Sequence, residues 1–544
     1  MPVLQFKGKT AVENHHHTVP HHRLEFNAKL SLLGKGEKPS LEGNLIIEGD
    51  NLLALKALLP THAGKVKCIY IDPPYNTGNE GWVYNDNLTQ PQFKQWIGQT
   101  VGKEGEDACR HDKWCCMMYP RLMLLRELLA DDGVILVSMG DDEIAHLRML
   151  MDEIFHEHNF IAHICWQKRY VSNVTALFLS DMHDHILVYG KDRPRVSVNT
   201  IERTEEQLRD YQNPDDDPRG DWRAQDLSAS KPYKAGVFKI KGPTGKVFEP
   251  PPNRYWRCNE TQYKQWVADG RIWFGKEGTS RPMRKAFLAE TEGGLTPNTW
   301  WSYQFAGHNK EATLELKSLF DGNAPFDTPK PVRLLRRILD LFTDKNSLVL
   351  DSFAGSGTTA HAVIQANKHD GGERRFVVVQ QQFDTKEDES IKRNVTKITR
   401  ERIARAVKKE KASAAFTYAR VGEPLFTEYR DFGKTLPDWE TLARYIFYTE
   451  TARECDSKKL NQKSGFIGST EAGGGTSYYL RYSPDSEENE RVSLHTLLDL
   501  IKKDKNKNIV IYAERVWLHG DELAKFEREN GRKIRPMVVP FGLK

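Results

Sequence analysis

The sequence predicts an α/β protein with a doubly wound, mostly parallel sheet. Short apolar runs closed by turn residues alternate with amphipathic stretches over residues 44–189, and the alternation returns at 332–380. This is the pattern of buried parallel strands joined by helices. Two of the strands end in runs rich in proline or glycine, and ligands bind beyond the carboxyl ends of parallel strands. We therefore expect both runs to meet at one edge of the sheet.

The elements follow from this pattern in chain order. The predicted strands are 44–47, 66–71, 134–139, 161–166, 185–189, 347–351 and 375–380. The predicted helices are 52–59, 114–129, one capped by Asp141 that runs to about 155, 332–342 and one that starts at Thr358. Asp or Asn before an apolar periodic run is a helix cap, and Pro331 suits the start of the helix that follows it.

The chain of 544 residues is long enough for about two to four domains. Between about 195 and 325 the alternation stops, and tryptophans are interleaved with Arg and Lys among Pro/Gly turns. Such residues suit contacts with grooves and phosphates of DNA, although tryptophans also form the cores of small β-rich domains. The predicted domains are an N-terminal extension at 1–40, a discontinuous α/β domain at 41–194 and 326–411, an insertion at 195–325, and a C-terminal α/β or α+β domain at 412–544.

Composition indicates a soluble globular protein, with 39% hydrophobic and 28% charged residues. No apolar run is long enough for a membrane span, and the N-terminus lacks the apolar core of a signal peptide, so we expect a cytoplasmic protein without membrane contacts. A net charge of +4 implies that any nucleic-acid surface is a local patch. Seven cysteines without a CxxC pair suggest reduced thiols, and no metal is expected.

The run Cys68–Gly78 is the first candidate site, because a buried strand ends there in Asp72, Pro73, Pro74 and Tyr75. The two prolines remove two amide donors and fix the backbone, which keeps carbonyl acceptors available. An exocyclic amine could donate to Asp72 and to the Pro73 carbonyl while its ring stacks on Tyr75. These hydrogen bonds would localise the nitrogen lone pair and stabilise charge that develops in the transition state. The alternative is a proline-rich turn after a core strand.

The second candidate site follows the strand 347–351. A glycine-rich turn between a strand and a helix is typical of a nucleotide-cofactor loop, because small residues let the backbone approach the ligand. Its candidate cofactor-binding residues are Asp351, Phe353, Ala354, Gly355, Ser356, Gly357 and Thr358. No Lys follows the second glycine, so the turn is not a P-loop, and its spacing is not GxGxxG. The next strand ends at Gln380, where a nucleoside-binding sheet often has an acidic residue.

Together, DPPY and FAGSG resemble the S-adenosylmethionine-dependent amino-methyltransferases that act on DNA. The catalytic corner precedes the insertion and the cofactor loop comes last, a circularly permuted order that resembles the β class of adenine-N6 and cytosine-N4 methyltransferases. GDN at 49–51, MMYPRL at 117–122, NPDDDPRG and TPKP add a likeness to the modification subunit of type III restriction–modification systems. The likeness covers about residues 40–405. It implies that 41–194 and 326–411 form the methyltransferase catalytic domain and that 195–325 is a target-recognition domain.

The resemblance implies a role for each candidate. Asp72, Pro73, Pro74 and Tyr75 hold the target base, and the FAGSG loop lines S-adenosyl-L-methionine. Asp50 matches the acidic residue that contacts the cofactor's adenine, and the segment with Lys330 packs over its methionine end. The resemblance also implies methylation of adenine N6 in duplex DNA after the base is flipped out, since a stacked base cannot reach such a pocket.

The same resemblance implies two protein partners. One is a second copy of the chain, and the other is an ATP-dependent restriction subunit with helicase and nuclease activity. The charged helices at 386–411 and the C-terminal domain are candidate contact surfaces. Three alternatives stay open: methylation of cytosine N4, although DPPY favours adenine; methylation of an amino group in RNA or protein; and a non-catalytic DNA-recognition subunit.

Overall fold

A computed structural model describes residues 3–77, 110–173, 176–203, 205–291, 294–381, 396–426, 431–432, 435–471, 475–484 and 491–539. Residues 78–109, which follow the DPPY corner, lie outside these ranges, and so does the first part of the charged stretch, 386–395. No helix within these ranges is long and apolar enough to cross a membrane.

The strands are numbered here in chain order. They are β1 His22–Phe26, β2 Leu45–Glu48, β3 Val66–Ile71, β4 Leu129–Met139, β5 Phe160–Gln167, β6 His183–Gly190, β7 Trp222–Asp226, β8 Ser228–Ala229, β9 Ile240–Lys241, β10 Val247–Phe248, β11 Tyr255–Trp256, β12 Ile272–Trp273, β13 Met283–Phe287, β14 Trp300–Trp301, β15 Leu348–Asp351, β16 Arg375–Gln380, β17 Thr417–Pro424, β18 Phe466–Thr470, β19 Thr476–Arg481, β20 Arg491–Val492, β21 Asn508–Ala513, β22 Arg515–Val516 and β23 Lys533–Val538.

The described ranges contain 15 α-helices. They are Lys9–Val12, His15–Thr18, Asn51–His62, Arg110–Leu128, Ile144–Met151, Glu205–Leu208, Glu260–Ala268, Tyr303–Ala306, Asn309–Leu319, Val332–Phe342, Thr358–Asp370, Glu401–Glu410, Trp439–Thr451, Leu494–Lys503 and Gly520–Asn530. Asp141 does not cap the helix Ile144–Met151, contrary to the prediction, because the chain turns until Glu143, which is the N-cap residue.

The predicted α/β fold is confirmed. Ten strands form one sheet in the order β1-β17-β2-β16-β15-β3-β4-β6-β5-β14, in which the neighbours from β17 to β4 are all parallel. The helices Asn51–His62, Arg110–Leu128 and Ile144–Met151 pack over one face through a large apolar cluster. Alternate residues of the central strands, such as Ile46 and Val349, are also fully buried, so both faces of the sheet are covered.

The structure divides the chain into two compact units, residues 199–298 and all the rest. The smaller unit is therefore shorter than the predicted insertion of 195–325, because β14 pairs with β5 and returns the chain to the large sheet. The large sheet also takes in β1, from the predicted N-terminal extension, and β17, from the predicted C-terminal domain. β1 and β17 form an antiparallel pair, and β17 also pairs in parallel with β2.

The smaller unit is built from β7–β13 and has its own core of Leu227, Ile240, Phe248, Trp256 and Cys258. Trp222 is also buried, and its indole donates to Asp215 over 2.9 Å. Within the NPDDDPRG segment, Asp217 pairs with Arg219 and with Lys285 at 2.8 Å. Side chains of this segment are thus engaged inside the unit, and several tryptophans serve the core.

The chain after β17 forms a four-stranded sheet in the order β18-β19-β21-β23, in which β19, β21 and β23 are parallel. The helices Leu494–Lys503 and Gly520–Asn530 contribute Leu497 and Phe526 to one apolar cluster of this sheet. The helix Trp439–Thr451 contributes to the other cluster and also contacts the helix Asn51–His62 of the main sheet. This part of the chain is an α/β arrangement, one of the two predicted types.

Candidate active site

Five parallel strands deliver the candidate residues to one edge of the sheet. Asp50 follows β2, Gln380 ends β16, Asp351 ends β15, Asp72 follows β3 and Gly140 follows β4. Because β15 lies between β16 and β3, the glycine-rich loop and the DPPY corner are on neighbouring strands. The structure therefore brings together the two sites that the sequence predicted.

The two carboxylate oxygens of Asp72 have different surroundings at this edge. Its Oδ2 accepts a hydrogen bond from Lys330 Nζ over 2.5 Å. Its Oδ1 is buried and has no hydrogen-bond partner among the described residues. An unpaired buried carboxylate oxygen is costly, so it marks a place where an incoming donor would be stabilised.

Tyr75 lies beside Asp72 and is held from two sides. Its hydroxyl donates to Asp184 on β6 over 3.3 Å, and Lys330 Nζ lies 5.1 Å from the centre of its ring. Burial, followed by the charges of Asp72 and Asp184, raises the pKa of the Tyr75 phenol well above its usual value, so the ring stays neutral. A Cβ at Gly140 would lie 2.9 Å from this ring, which explains the glycine there.

The end of the DPPY corner is fixed by a buried carboxylate that sequence reasoning did not single out. Asn76 has a φ of 59° and donates to Glu143, which is completely buried. His111 and His146 also contact the Glu143 carboxylate, over 2.7 Å and 2.8 Å. The Pro74 carbonyl accepts a hydrogen bond from the Trp114 indole over 2.8 Å, so it is already engaged. The carbonyl that is predicted to accept the target amine is that of Pro73.

The glycine-rich loop is closed by its own backbone and by Gln380. Gly355 has a φ of 53° and Gly357 a φ of 86°, values that favour glycine. The Gly355 N–H donates to the Gln380 side chain over 2.7 Å. Gln380, which stands where the pattern often has an acidic residue, therefore holds the loop.

Asp351 holds the glycine-rich loop through two hydrogen bonds. Its Oδ1 accepts from the Phe353 N–H over 3.0 Å and its Oδ2 from the Thr359 hydroxyl over 2.5 Å. Burial raises the pKa of the Asp351 carboxyl to about 7, although these two hydrogen bonds lower it. Both oxygens are thus used inside the protein, and the residue orients the loop.

This raised pKa predicts a pH dependence of stability. In the unfolded chain the carboxyl returns to its ordinary value of 3.8, so the folded state binds more protons between about pH 4 and pH 7. The contribution of Asp351 to the free energy of unfolding is therefore present below pH 4 and lost as the pH rises to 7. We expect the stability of wild type relative to Asp351→Asn to fall by up to about 4 kcal/mol over this range in urea titrations. A difference between the two proteins that stays constant from pH 4 to pH 7 would contradict this prediction.

The GDN motif links the β2 edge to the glycine-rich loop. Asp50 caps the helix Asn51–His62 by accepting from the Leu52 N–H over 2.7 Å. Asn51 is buried and donates to the Ser352 carbonyl over 3.0 Å. Arg121, from the MMYPRL motif, donates to Asn51 over 2.6 Å. The GDN and MMYPRL motifs therefore form one buried network. The sequence shows both motifs but not the contact between them.

Arg402 is a second residue that sequence reasoning missed, since it lies in the charged helices at 386–411, which are predicted as a candidate contact surface. It is fully buried, and its Nη1 donates to the hydroxyls of Ser356 and Thr358 over 2.6 Å and 2.7 Å. The apolar spacing of Ile398, Ile403 and Ala406 could have signalled a buried helix face.

Lys330 joins the two candidate sites. Its carbonyl accepts from the Thr358 hydroxyl over 3.2 Å at the start of the helix, while its ammonium reaches Asp72. Lys330 is predicted to lie in the segment that packs over the methionine end of the cofactor, and in the structure its side chain contacts the DPPY corner.

The sequence of this chain is similar to those of known proteins over much of its length. The DNA methylase family matches residues 66–383. The Mod subunit of the type III restriction–modification enzyme StyLTI from Salmonella typhimurium is 36% identical over 71% of this chain and 60% of its own length. The EcoPI Mod subunit from Escherichia phage P1 is 30% identical over 75% of this chain and 68% of its own length. The chain thus spans roughly two thirds or less of these relatives.

Solved structures give weaker matches. A putative DNA modification methylase from Thermus thermophilus, complexed with S-adenosyl-L-methionine, has a TM-score of 0.31 and 14% identity, over 69% of this chain and 99% of that one. The family assignment therefore rests on sequence. With a family match over more than half of its length and a Mod relative 30% identical over 68% of that relative, the chain belongs to the DNA methylase family.

Proposed function

We propose that this protein transfers a methyl group from S-adenosyl-L-methionine to the exocyclic N6 of adenine in duplex DNA, as the modification subunit of a type III restriction–modification system. The observation that carries the proposal is Asp72, whose buried Oδ1 has no partner among the described residues and lies beside Tyr75. Family membership and the Mod relatives support the DNA substrate.

In this proposal the catalytic corner orients the amine. Lys330 occupies Oδ2 of Asp72, so the adenine N–H donates to Oδ1 and its second N–H to the Pro73 carbonyl. Both hydrogen bonds strengthen as charge develops on the nitrogen, which lowers the barrier to transfer. Tyr75 is neutral and held by Asp184, so it provides a fixed stacking surface for the flipped base.

The glycine-rich loop fits the cofactor by its chemistry. When bound, S-adenosyl-L-methionine supplies the electrophilic methyl group. Phe353, Ala354 and Gly355 would lie against it, because glycines let the backbone approach, while Ser356, Gly357 and Thr358 would form the helix start facing it. Asp351, Gln380 and Arg402 would position this loop from behind. Asp50 would accept from the adenine of the cofactor.

The direct assay for the reaction class uses a cofactor with a tritiated methyl group. Purified protein is incubated with duplex DNA, RNA or a protein mixture, and incorporated tritium is counted in each. Label in DNA alone supports the proposal. Label only in RNA or protein would favour a methyltransferase that acts on an amino group in that substrate. If the protein binds the cofactor and DNA but no label is incorporated, a non-catalytic recognition subunit is favoured.

Sequence recognition is proposed to lie in the compact unit 199–298. We expect that replacing this unit by its counterpart from a Mod relative changes which sequence is methylated and keeps the rate of transfer within about tenfold. Methylation sites would be mapped by sequencing. An unchanged recognition site after the exchange would place readout elsewhere.

We further propose that two copies of the chain act together, with an ATP-dependent restriction subunit as a second partner. One copy would read the asymmetric site while the other performs transfer. Light scattering at protein concentrations over a wide range is expected to give the mass of two chains. A monomer with full DNA methylation activity would exclude the obligate pair.

A further inference from the structure

We propose that Cys165, His183 and His185 form a Zn²⁺ site at the end of β5 and the start of β6. The Cys165 Sγ and one ring nitrogen of each histidine lie within 4.8 Å of one another. Zn²⁺ prefers thiolate and imidazole ligands in a tetrahedral arrangement. Nothing in the proposed methyl transfer uses these side chains.

Two paired strands hold the three ligands. Cys165 is the register partner of His185 in the antiparallel pair of β5 and β6. His183 lies two positions from His185, and side chains two positions apart on a strand point to the same face. The site is therefore preformed on a regular sheet, which lowers the entropic cost of binding an ion.

The surrounding residues complete such a site. Asp141 Oδ1 lies 2.7 Å from His185 Nε2 and can orient the ring, as carboxylates do for metal-bound histidines. The other ring nitrogen, Nδ1, is left for the ion, which would replace the present contact of Nδ1 with His163 Nε2 at 2.9 Å. His163 is not one of the three clustered ligands, so water would take the fourth position.

Zn²⁺ binds the deprotonated form of a cysteine. The Cys165 thiol therefore loses its proton to solvent when the Zn–S bond forms.

Two other clusters in the described part of the chain suit Zn²⁺ less well. In the first, Glu143 already receives hydrogen bonds from His111, His146 and Asn76. In the second, Glu127 accepts from the Tyr448 hydroxyl over 2.7 Å, beside His16 and His17. Neither cluster includes a thiol.

An ion here would steady the candidate active site. Asp184 lies between the two histidine ligands and points to the opposite face of β6, where it accepts from Tyr75 and from Lys168 at 2.7 Å. Fixing both neighbours of Asp184 would fix the strand that holds the Tyr75 hydroxyl. The ion binding itself does not depend on methyl transfer.

The test uses the full chain, treated with a chelator and titrated with Co²⁺, whose thiolate complexes absorb in the near ultraviolet. We expect one Co²⁺ per chain with this absorption, its displacement by Zn²⁺, and a proton released on binding. Cys165→Ser should remove the thiolate absorption, and His183→Ala should weaken Zn²⁺ binding more than about tenfold. His146→Ala, in the Glu143 cluster, and His495→Ala, at an exposed histidine, are the matched controls and should bind as wild type.

Circular dichroism checks that each variant is folded. If Cys165→Ser does not fold, His183→Ala provides the test. The proposal is overturned if wild type shows no cobalt–thiolate absorption. It is also overturned if binding survives both Cys165→Ser and His183→Ala, or is lost in His146→Ala instead.

Discussion

Asp72→Ala is expected to reduce methyl transfer by about a thousandfold or more while leaving the dissociation constant for S-adenosyl-L-methionine nearly unchanged. The substitution removes the unpartnered Oδ1 that would accept the target amine, and the residue lies after β3 rather than in the glycine-rich loop that follows β15. Transfer would be measured with tritiated cofactor and cofactor binding by calorimetry.

Two matched variants sharpen this result. Asp72→Asn keeps the size of the side chain and removes its charge, so it should also lose transfer. Asp132→Ala removes an exposed carboxylate that pairs with Lys67 and should transfer as wild type. If Asp72→Ala lost cofactor affinity as severely as a change in the glycine-rich loop, the assignment of Asp72 to the base would be wrong.

Gly355→Asp is expected to weaken cofactor binding by more than about a hundredfold. The residue has a φ of 53°, which is strained for any side chain, and a Cβ there would lie 3.1 Å from the Phe326 ring. The Gly355 N–H also donates to Gln380, so a displaced backbone would open the loop. Calorimetry with S-adenosyl-L-methionine measures the loss.

Gly371→Asp is the matched control for backbone strain. Gly371 has a φ of 68° at the other end of the helix Thr358–Asp370, and a Cβ there meets nothing within 4 Å. It should bind the cofactor as wild type, although its stability should fall by about 1 kcal/mol. Equal losses of affinity at the two glycines would mean that general destabilisation, and not the loop, explains the effect.

The central strands and the two motifs could be predicted from the sequence because their signals are local. The strand Arg375–Gln380 and the start of the helix at Thr358 have the predicted positions. A buried parallel strand is a continuous apolar run, and a glycine pair before a helix is visible within a few residues. The parallel order then follows from the alternation of strands and helices.

The supporting contacts could not be predicted because they join distant parts of the chain. Arg121 meets Asn51, and Arg402 meets Ser356, only after folding. Both arginines are buried, whereas a charged side chain in a sequence usually indicates exposure. The strands β1 and β17 were missed because neither HRLEF nor TYARVGEP contains a continuous apolar run.

The measurement that tests the central proposal most directly is mass analysis of nucleosides from duplex DNA methylated by the purified protein. The DPPY corner, with Asp72 Oδ1 free to accept an amine, predicts N6-methyladenine in wild type and none in Asp72→Ala. N4-methylcytosine without N6-methyladenine, or no methylated base from a folded protein that binds the cofactor and DNA, would contradict it.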